Sequence, residues 1–231
     1  MSTATMTARS QLRVAIVEDH VLFAESLELA LSLEGYDVRR ILLPAEQTSV
    51  PAMMASVLRQ RPKIVLLDFD LGRFGDGARL VEPLARAGVD VVVVTGAVDE
   101  ARWGQALRLG ARTVLPKSHP LGEILGTVRR LHQGQSVLDV ADRERLLKIW
   151  HQRRGEMLDL RARLDRLTNR EAEVLGHLMR GETVSEIAVL GVVSEATVRT
   201  QVKSILAKLE VSSQIAAVGL AHRVGWKAPT G

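Results

Sequence analysis

The sequence predicts an α/β domain, a doubly wound five-stranded parallel sheet, followed by a smaller all-α domain. Three observations carry this reading. Ile64–Leu67 and Val91–Val94 are unbroken apolar runs without alternation, as expected of strands buried on both faces of a parallel sheet. Segments of helical texture separate five such runs between residues 12 and 132. Beyond Leu167 the runs vanish, and short segments opening on Ser or Thr take over.

The elements follow in order. Leu12–Val17 reads as the first strand and ends at Glu18-Asp19. A helix follows, with Leu22, Leu27, Leu29 and Leu31 among its apolar positions, and stops at Gly35. Tyr36–Leu42 is a weaker strand, interrupted by Asp37 and by Arg39-Arg40, and Met53–Arg59 is a helix. Ile64–Leu67, between Pro62 and Gly72, ends at Asp68. Gly77–Ala87 is helical, with Pro83 expected to bend or shorten it. Val91–Val94 ends at Thr95-Gly96, a helix spans Asp99–Leu109, Thr113–Leu115 ends at Pro116-Lys117, and Leu121–Leu131 is the last helix of the domain.

Leu146, Trp150, Arg153, Met157, Leu160, Leu164 and Leu167 then follow a heptad-like spacing among charged residues. Two readings fit: one amphipathic linker helix packed on its own chain, or a short two-stranded coiled coil. After it, Thr168 with Glu171 and Thr183 with Glu186 have capping-box spacing. They start helices at 169–179 and 184–190, the first closed by Gly181. Ser194 caps a helix at Glu195–Leu209, and Ser212 or Ser213 caps a fourth that runs to Arg223. The expected division is a tail at 1–11, the α/β domain at 12–132, a helical linker at 133–166, the helical domain at 167–225 and a tail at 226–231.

Composition bounds the function. With 46% apolar and 25% charged residues the chain supports a sizeable core. The absence of cysteine removes disulfides, thiolate catalysis and cysteine-bound zinc, and fits a reducing cytoplasm. Met1–Ser10 lacks the apolar core of a signal peptide, and no apolar run approaches the ~18 residues of a membrane span, so no membrane partner is expected. The net charge of +4 is spread thinly, so nucleic-acid binding has to be argued from where a few cations lie.

The carboxyl edge of the sheet collects the chemistry-bearing residues. Glu18-Asp19, Asp68, Thr95 and Lys117 each stand at the end of a different strand, where ligands bind in open α/β sheets. Clustered carboxylates suit a hard divalent cation such as Mg²⁺. One of them could then attack an activated phosphoryl group, with a hydroxyl and an ammonium holding its oxygens. Singly, each residue has a plain structural explanation: a helix cap, a strand-end hydroxyl or a surface charge. The ordered set is the stronger signal.

This set resembles the receiver domain of two-component response regulators over residues 12–132. The resemblance rests on Val-Glu-Asp-His at 17–20, Leu-Leu-Asp at 66–68, Val-Val-Thr-Gly at 93–96, Leu-Gly-Ala at 109–111 and Leu-Pro-Lys-Ser at 115–118. It implies that Asp68 accepts the phosphoryl group and that Glu18, Asp19, Asp68 and the backbone carbonyl of Asp70 hold Mg²⁺. Thr95 and Lys117 would contact the phosphoryl group and couple it to the fourth helix and fifth strand. Two positions depart from the pattern. Leu71-Gly72 replaces the usual Met-Pro, in a loop one residue longer before Gly77, and Val114 stands where the family has an aromatic residue. Asp68-Phe69-Asp70 also looks like the Asp-x-Asp motif of haloacid dehalogenase-like phosphatases. There an acidic pair follows the lysine, whereas here it precedes Asp68.

In the C-terminal domain, Val198, Val202, Ile205 and Leu209 form an apolar stripe, and Arg199, Thr200 and Lys203 fall off it. Leu167-Thr168, Arg170-Glu171, Glu173-Val174-Leu175, Glu186-Ile187-Ala188, Ser194-Glu195, Thr197-Val198-Arg199 and Ile205-Leu206-x-Lys208-Leu209 resemble the LuxR-type helix-turn-helix. The two resemblances together identify the chain as a member of the NarL/FixJ-type response regulators. They imply Arg199, Thr200 and Lys203 as base or groove contacts and Thr183, Ser194 and Thr197 near phosphates. The last helix, around Ile215–Leu220, would contribute to dimerisation on DNA. Gln201 stands where the family has His, and Gly191 where a core Leu is expected, with Leu190 one residue early.

The resulting expectation is a cytoplasmic, homodimeric transcription regulator, not an enzyme, phosphorylated on Asp68 by a sensor histidine kinase or a small phosphodonor. The alternative is a constitutive DNA-binding regulator whose receiver is a protein-interaction or ligand-sensing module. The phosphatase stands third.

Overall fold

The computed structural model describes residues 12–43 and 48–228. The tail expected at 1–11 and the end of the one expected at 226–231 lie outside the described residues. Two compact units divide between His151 and Gln152.

In the first unit, five strands run parallel in the order β2-β1-β3-β4-β5: β1 Arg13–Val17, β2 Asp37–Arg40, β3 Ile64–Leu67, β4 Asp90–Thr95 and β5 Thr113–Pro116. Helices α1 Val21–Leu33, α2 Val50–Arg59, α3 Ala78–Arg86, α4 Glu100–Arg108 and α5 Leu121–His132 connect or follow them. This is the predicted α/β class, and its register positions the site. Val17 pairs with Leu67 and Leu67 with Val93, so Glu18 and Asp68 leave the sheet at one level. Thr95 pairs with Pro116, which puts Lys117 at the same edge.

Alternation along the strands sorts two cores. Ala15, Val17, Val65, Leu67, Val91 and Val93 face α2, α3 and α4, while Val14, Ile16, Ile64, Leu66, Val92 and Val94 face α1 and α5. Both faces are covered, which is why the strands read as continuous apolar runs. Helix α2 begins three residues before its expected start. Ser49 caps it by accepting from the Ala52 N–H, and Pro51 fits the first turn, where its missing donor costs nothing. Pro83 lies inside the nine-residue α3.

Helix α6, Val140–Leu164, carries the heptad-like seam, and both cores use it. Leu146 is buried in the first unit, whereas Met157, Leu160 and Leu164 pack in the second, with Arg153 and Gly155 exposed between them. These apolar seam residues thus pack on the chain itself.

The second unit contains α7 Asn169–Met179, α8 Val184–Leu190, α9 Glu195–Leu209 and α10 Gln214–Arg223, the four predicted helices. Both capping boxes form, and Ser194 and Ser213 cap the last two helices. The buried stripe Val198, Val202, Ile205 and Leu209 joins Val174, Leu175, Ile187 and Leu220 in one core, against which Trp226 also packs. No single helix among the described residues is long and apolar enough to cross a membrane.

Candidate functional site

At the carboxyl edge of the sheet, parallel pairing brings β1 and β3 side by side, and the Asp68 N–H donates to the Val17 carbonyl at 3.0 Å. Carboxylates from the two strand ends therefore meet. Lys117 reaches across from β5, its Nζ 2.7 Å from Asp68 Oδ2 and 2.8 Å from Glu18 Oε1. The Asp68 and Glu18 side chains are each 3% exposed, so this is a buried charge network with one ammonium for two carboxylates.

The electrostatics follow from that burial. Desolvation raises the Glu18 carboxyl above its ordinary value, with the neighbouring Asp68 charge adding to the rise. Bonds from Lys117 and the His20 N–H offset it only in part. For Lys117 burial favours loss of the proton, but the bonds to Asp68 and Glu18 outweigh it and hold the ammonium above its ordinary range.

Among the described residues, one oxygen or nitrogen from each of Glu18, Asp19, His20 and Asp68 falls within a 4.8 Å group. Asp68 Oδ1 is buried and has no hydrogen-bond partner among these residues. An orphaned carboxylate oxygen beside two further carboxylates is the donor set a hard divalent cation takes, so the residues fit Mg²⁺. The Asp70 side chain stands outside the group and accepts from the Gly72 N–H at 3.3 Å. Thr95 is buried, and its Oγ1 accepts from the Ala97 N–H at 3.1 Å.

The sequence reading did not single out His20. Its Nδ1 lies 3.1 Å from Asp19 Oδ1 and 3.3 Å from Lys117 Nζ, and its N–H donates to Glu18. Only its place beside Glu18-Asp19 could have signalled this. Gly77 was also passed over as a site residue: a Cβ there would fall 2.0 Å from the Asp68 carbonyl oxygen, which only glycine tolerates. The Leu71-Gly72 departure is explained as well. Leu71 is buried in the core, and Gly72 takes φ +54, which proline cannot adopt.

In the second unit, α9 exposes Arg199, Thr200 and Lys203 opposite its buried stripe, and Ser194, Thr197 and Thr183 are also exposed. The Ser194 and Thr197 hydroxyls lie 2.9 Å apart. Arg199 donates to Glu195 at 2.9 Å, and Ser185 on α8 donates to the same carboxylate at 2.6 Å, so the helix pair is tied at its exposed end. Glu171 ties α9 to α7, accepting from Ser204 at 2.7 Å, Lys208 at 2.6 Å and the Thr168 N–H at 2.7 Å. Burial alone would raise this carboxyl, but those bonds outweigh it and hold its pKa at about 2.

Gly191 closes α8 as its C-cap. A Cβ there would fall 2.2 Å from Arg170 Nη2, so the Arg170 guanidinium occupies the space expected for a leucine, and Leu190 does not replace it, being 60% exposed. Gln201, at the family's histidine position, keeps Oε1 buried without a partner among the described residues.

Comparisons with known proteins agree with this architecture. The family model for the response regulator receiver domain matches residues 14–129, and that for bacterial regulatory proteins of the luxR family matches residues 165–221. The probable transcriptional regulatory protein NarL of Mycobacterium tuberculosis is 30% identical over 215 residues, 92% of this chain and 94% of that protein. The nitrate/nitrite response regulator protein homolog of Haemophilus influenzae is 25% identical over 214 residues, covering 92% and 97%. Among solved structures, the RcsB response regulator of Salmonella typhimurium matches at 21% identity with a TM-score of 0.48, covering 93% of this chain and 100% of that one. With a receiver sheet carrying its acidic edge and a LuxR-type helical domain on one chain, the protein belongs to the NarL/FixJ-type two-component response regulators.

Proposed function

We propose that this regulator is switched by phosphorylation of Asp68 and then binds operator DNA as a homodimer in the cytoplasm, without being an enzyme in its own right. The observation that carries the reading is Asp68 itself. Lys117 holds Oδ2 at 2.7 Å, while Oδ1 is buried and has no hydrogen-bond partner among the described residues. Oδ1 attacks phosphorus, the bond from phosphorus to the donor breaks (phosphorus–nitrogen in a phosphohistidine, phosphorus–oxygen in an acyl phosphate), and the departing group keeps that electron pair. The donor is a phosphohistidine on a sensor kinase or a small acyl phosphate. Lys117 and the Thr95 hydroxyl receive the new phosphoryl oxygens. Glu18, Asp19, Asp68 and the Asp70 carbonyl are the residues to hold Mg²⁺, which when bound neutralises the charge gathering at this edge.

On the DNA side, Arg199, Thr200 and Lys203 enter the major groove, with Thr183, Ser194 and Thr197 near the phosphates. The exposure of Arg199, Thr200 and Lys203 on one side of a helix braced by Ser185 and Glu171 supports this reading.

Labelling by acetyl phosphate with Mg²⁺ tests the acceptor: the wild type takes up label and Asp68→Asn does not. Label retained on Asp68→Asn would move the acceptor elsewhere. One observation favours the constitutive alternative. Val114 fills the position of the family's aromatic residue and is 8% exposed, so no ring is available there to swing inward. Equal operator affinity with and without phosphodonor would decide for that alternative.

A further inference from the structure

Helix α4 carries three successive residues with three different attachments inside the first unit. Arg102 Nη2 donates to Asp76 at 2.7 Å, and its guanidinium lies 4.5 Å over the Phe69 ring, both in the segment that follows Asp68. Trp103 Nε1 donates to the Ala97 carbonyl at 2.9 Å, two residues after Thr95. Gly104 faces the linker helix, where a Cβ would fall 2.2 Å from the Leu146 carbonyl oxygen and 2.8 Å from Trp150 Cβ.

Glycine inside a nine-residue helix is disfavoured, so its presence calls for a packing reason. The reason is a near backbone-to-backbone seat for α6. Around it the seat is completed by the buried Leu146, by Arg143 donating to the Leu107 carbonyl at 3.4 Å and by Arg145 paired with Glu100 at 2.7 Å.

We propose that Arg102, Trp103 and Gly104 make α4 a lever that reports the state of Asp68 to the linker helix, in the role left vacant by Val114. The proposal rests on phosphorylation of Asp68. In the unphosphorylated chain the Ala97 N–H donates to Thr95 Oγ1 and the Ala97 carbonyl accepts from Trp103, so a single residue joins the threonine to α4. When the Thr95 hydroxyl turns to a phosphoryl oxygen, Ala97 loses its acceptor and its segment shifts. Trp103 carries the shift into α4. A seat whose atoms are already in contact has no slack, so displacement of α4 loosens residues 140–151 rather than compressing them.

Hydrogen exchange of the full chain, read on peptides covering residues 140–151, tests both halves. Without phosphodonor, Gly104→Ala, which strengthens α4 as a helix, is expected to speed exchange there by about tenfold or more, leaving residues 195–209 unchanged. Wild-type exchange in that variant would overturn the seat. With acetyl phosphate and Mg²⁺, the wild type is expected to show the same acceleration. Trp103→Phe, which keeps a ring but loses the donor, is expected to be labelled on Asp68 equally while residues 140–151 no longer respond. A labelled wild type with no response at 140–151, or a Trp103→Phe protein that responds like the wild type, would overturn the lever and leave phosphorylation standing. Absence of label on the wild type would instead overturn phosphorylation and, with it, the switching half of the proposal, while the Gly104→Ala result still decides the seat.

Discussion

Lys117 Nζ stands 2.7 Å from Asp68 Oδ2 and shares its charge with Glu18, so one ammonium holds together two carboxylates that would otherwise repel. Lys117→Met leaves both carboxylates buried without a counter-charge and is expected to cost up to about 3–5 kcal/mol in metal-free buffer. Asp68→Asn removes one carboxylate and leaves Lys117 paired with Glu18, so its effect should be far smaller. Urea unfolding of the two variants checks the order, and equal losses would mean that the network contributes little.

Mg²⁺ should supply what Lys117 provides only in part. Adding it to the wild type is expected to raise the melting temperature in a concentration-dependent way, because an ion that binds only the folded state stabilises that state. Asp19→Asn should abolish most of the rise. An unchanged rise in that variant would place the ion elsewhere.

Gly77→Ala forces a Cβ against the Asp68 carbonyl, a backbone atom that cannot rotate away. The expected destabilisation is about 1–3 kcal/mol or more, with loss of acetyl phosphate labelling as the Asp68 segment shifts. Gly122→Ala makes a useful control, since a Cβ there meets nothing within 4 Å.

Glu171 sets an acid limit on the helical domain. Its folded pKa, about 2, lies below its ordinary 4.5, so the stabilisation is complete above the ordinary value and is lost as pH falls toward about 2. Glu171→Gln should cost about 2–3 kcal/mol at neutral pH and flatten that acid dependence. Denaturant melts of the helical domain's signal between about pH 2 and pH 7 would show both effects. An unchanged pH profile would remove Glu171 from the account.

Arg199 is held by Glu195 in the free chain. Releasing it with Glu195→Gln is expected to tighten non-specific DNA binding by about two- to fivefold, the scale of an exposed ion pair. The double variant Arg199→Ala with Lys203→Ala should weaken binding and reduce the slope of log affinity against log salt by about two. Fluorescence anisotropy across a salt series measures both quantities.

The sequence by itself determined most of the architecture. Apolar runs without alternation marked β3 and β4 because a parallel sheet covered on both sides admits nothing else. Hydroxyl caps with Glu three residues on fixed the starts of α7 and α8 because the interaction is local and complete within four residues. Asp68, Thr95 and Lys117 were legible as a set because each ends a strand. What needed the tertiary structure were the relations between residues distant in the chain. The sequence left the seam of α6 open between two readings, and the structure shows its two halves packing in different cores. Gly104 has no local reason in its helix, and its reason emerges only where Leu146 meets it. Glu171 read as a cap, and its bonds to Ser204 and Lys208 emerge only when α9 crosses α7. Gly191 read as a missing leucine, yet the Arg170 guanidinium fills that space. Local propensity and strand order are written along the chain, whereas close approach between two backbones or two charges depends on where the chain returns.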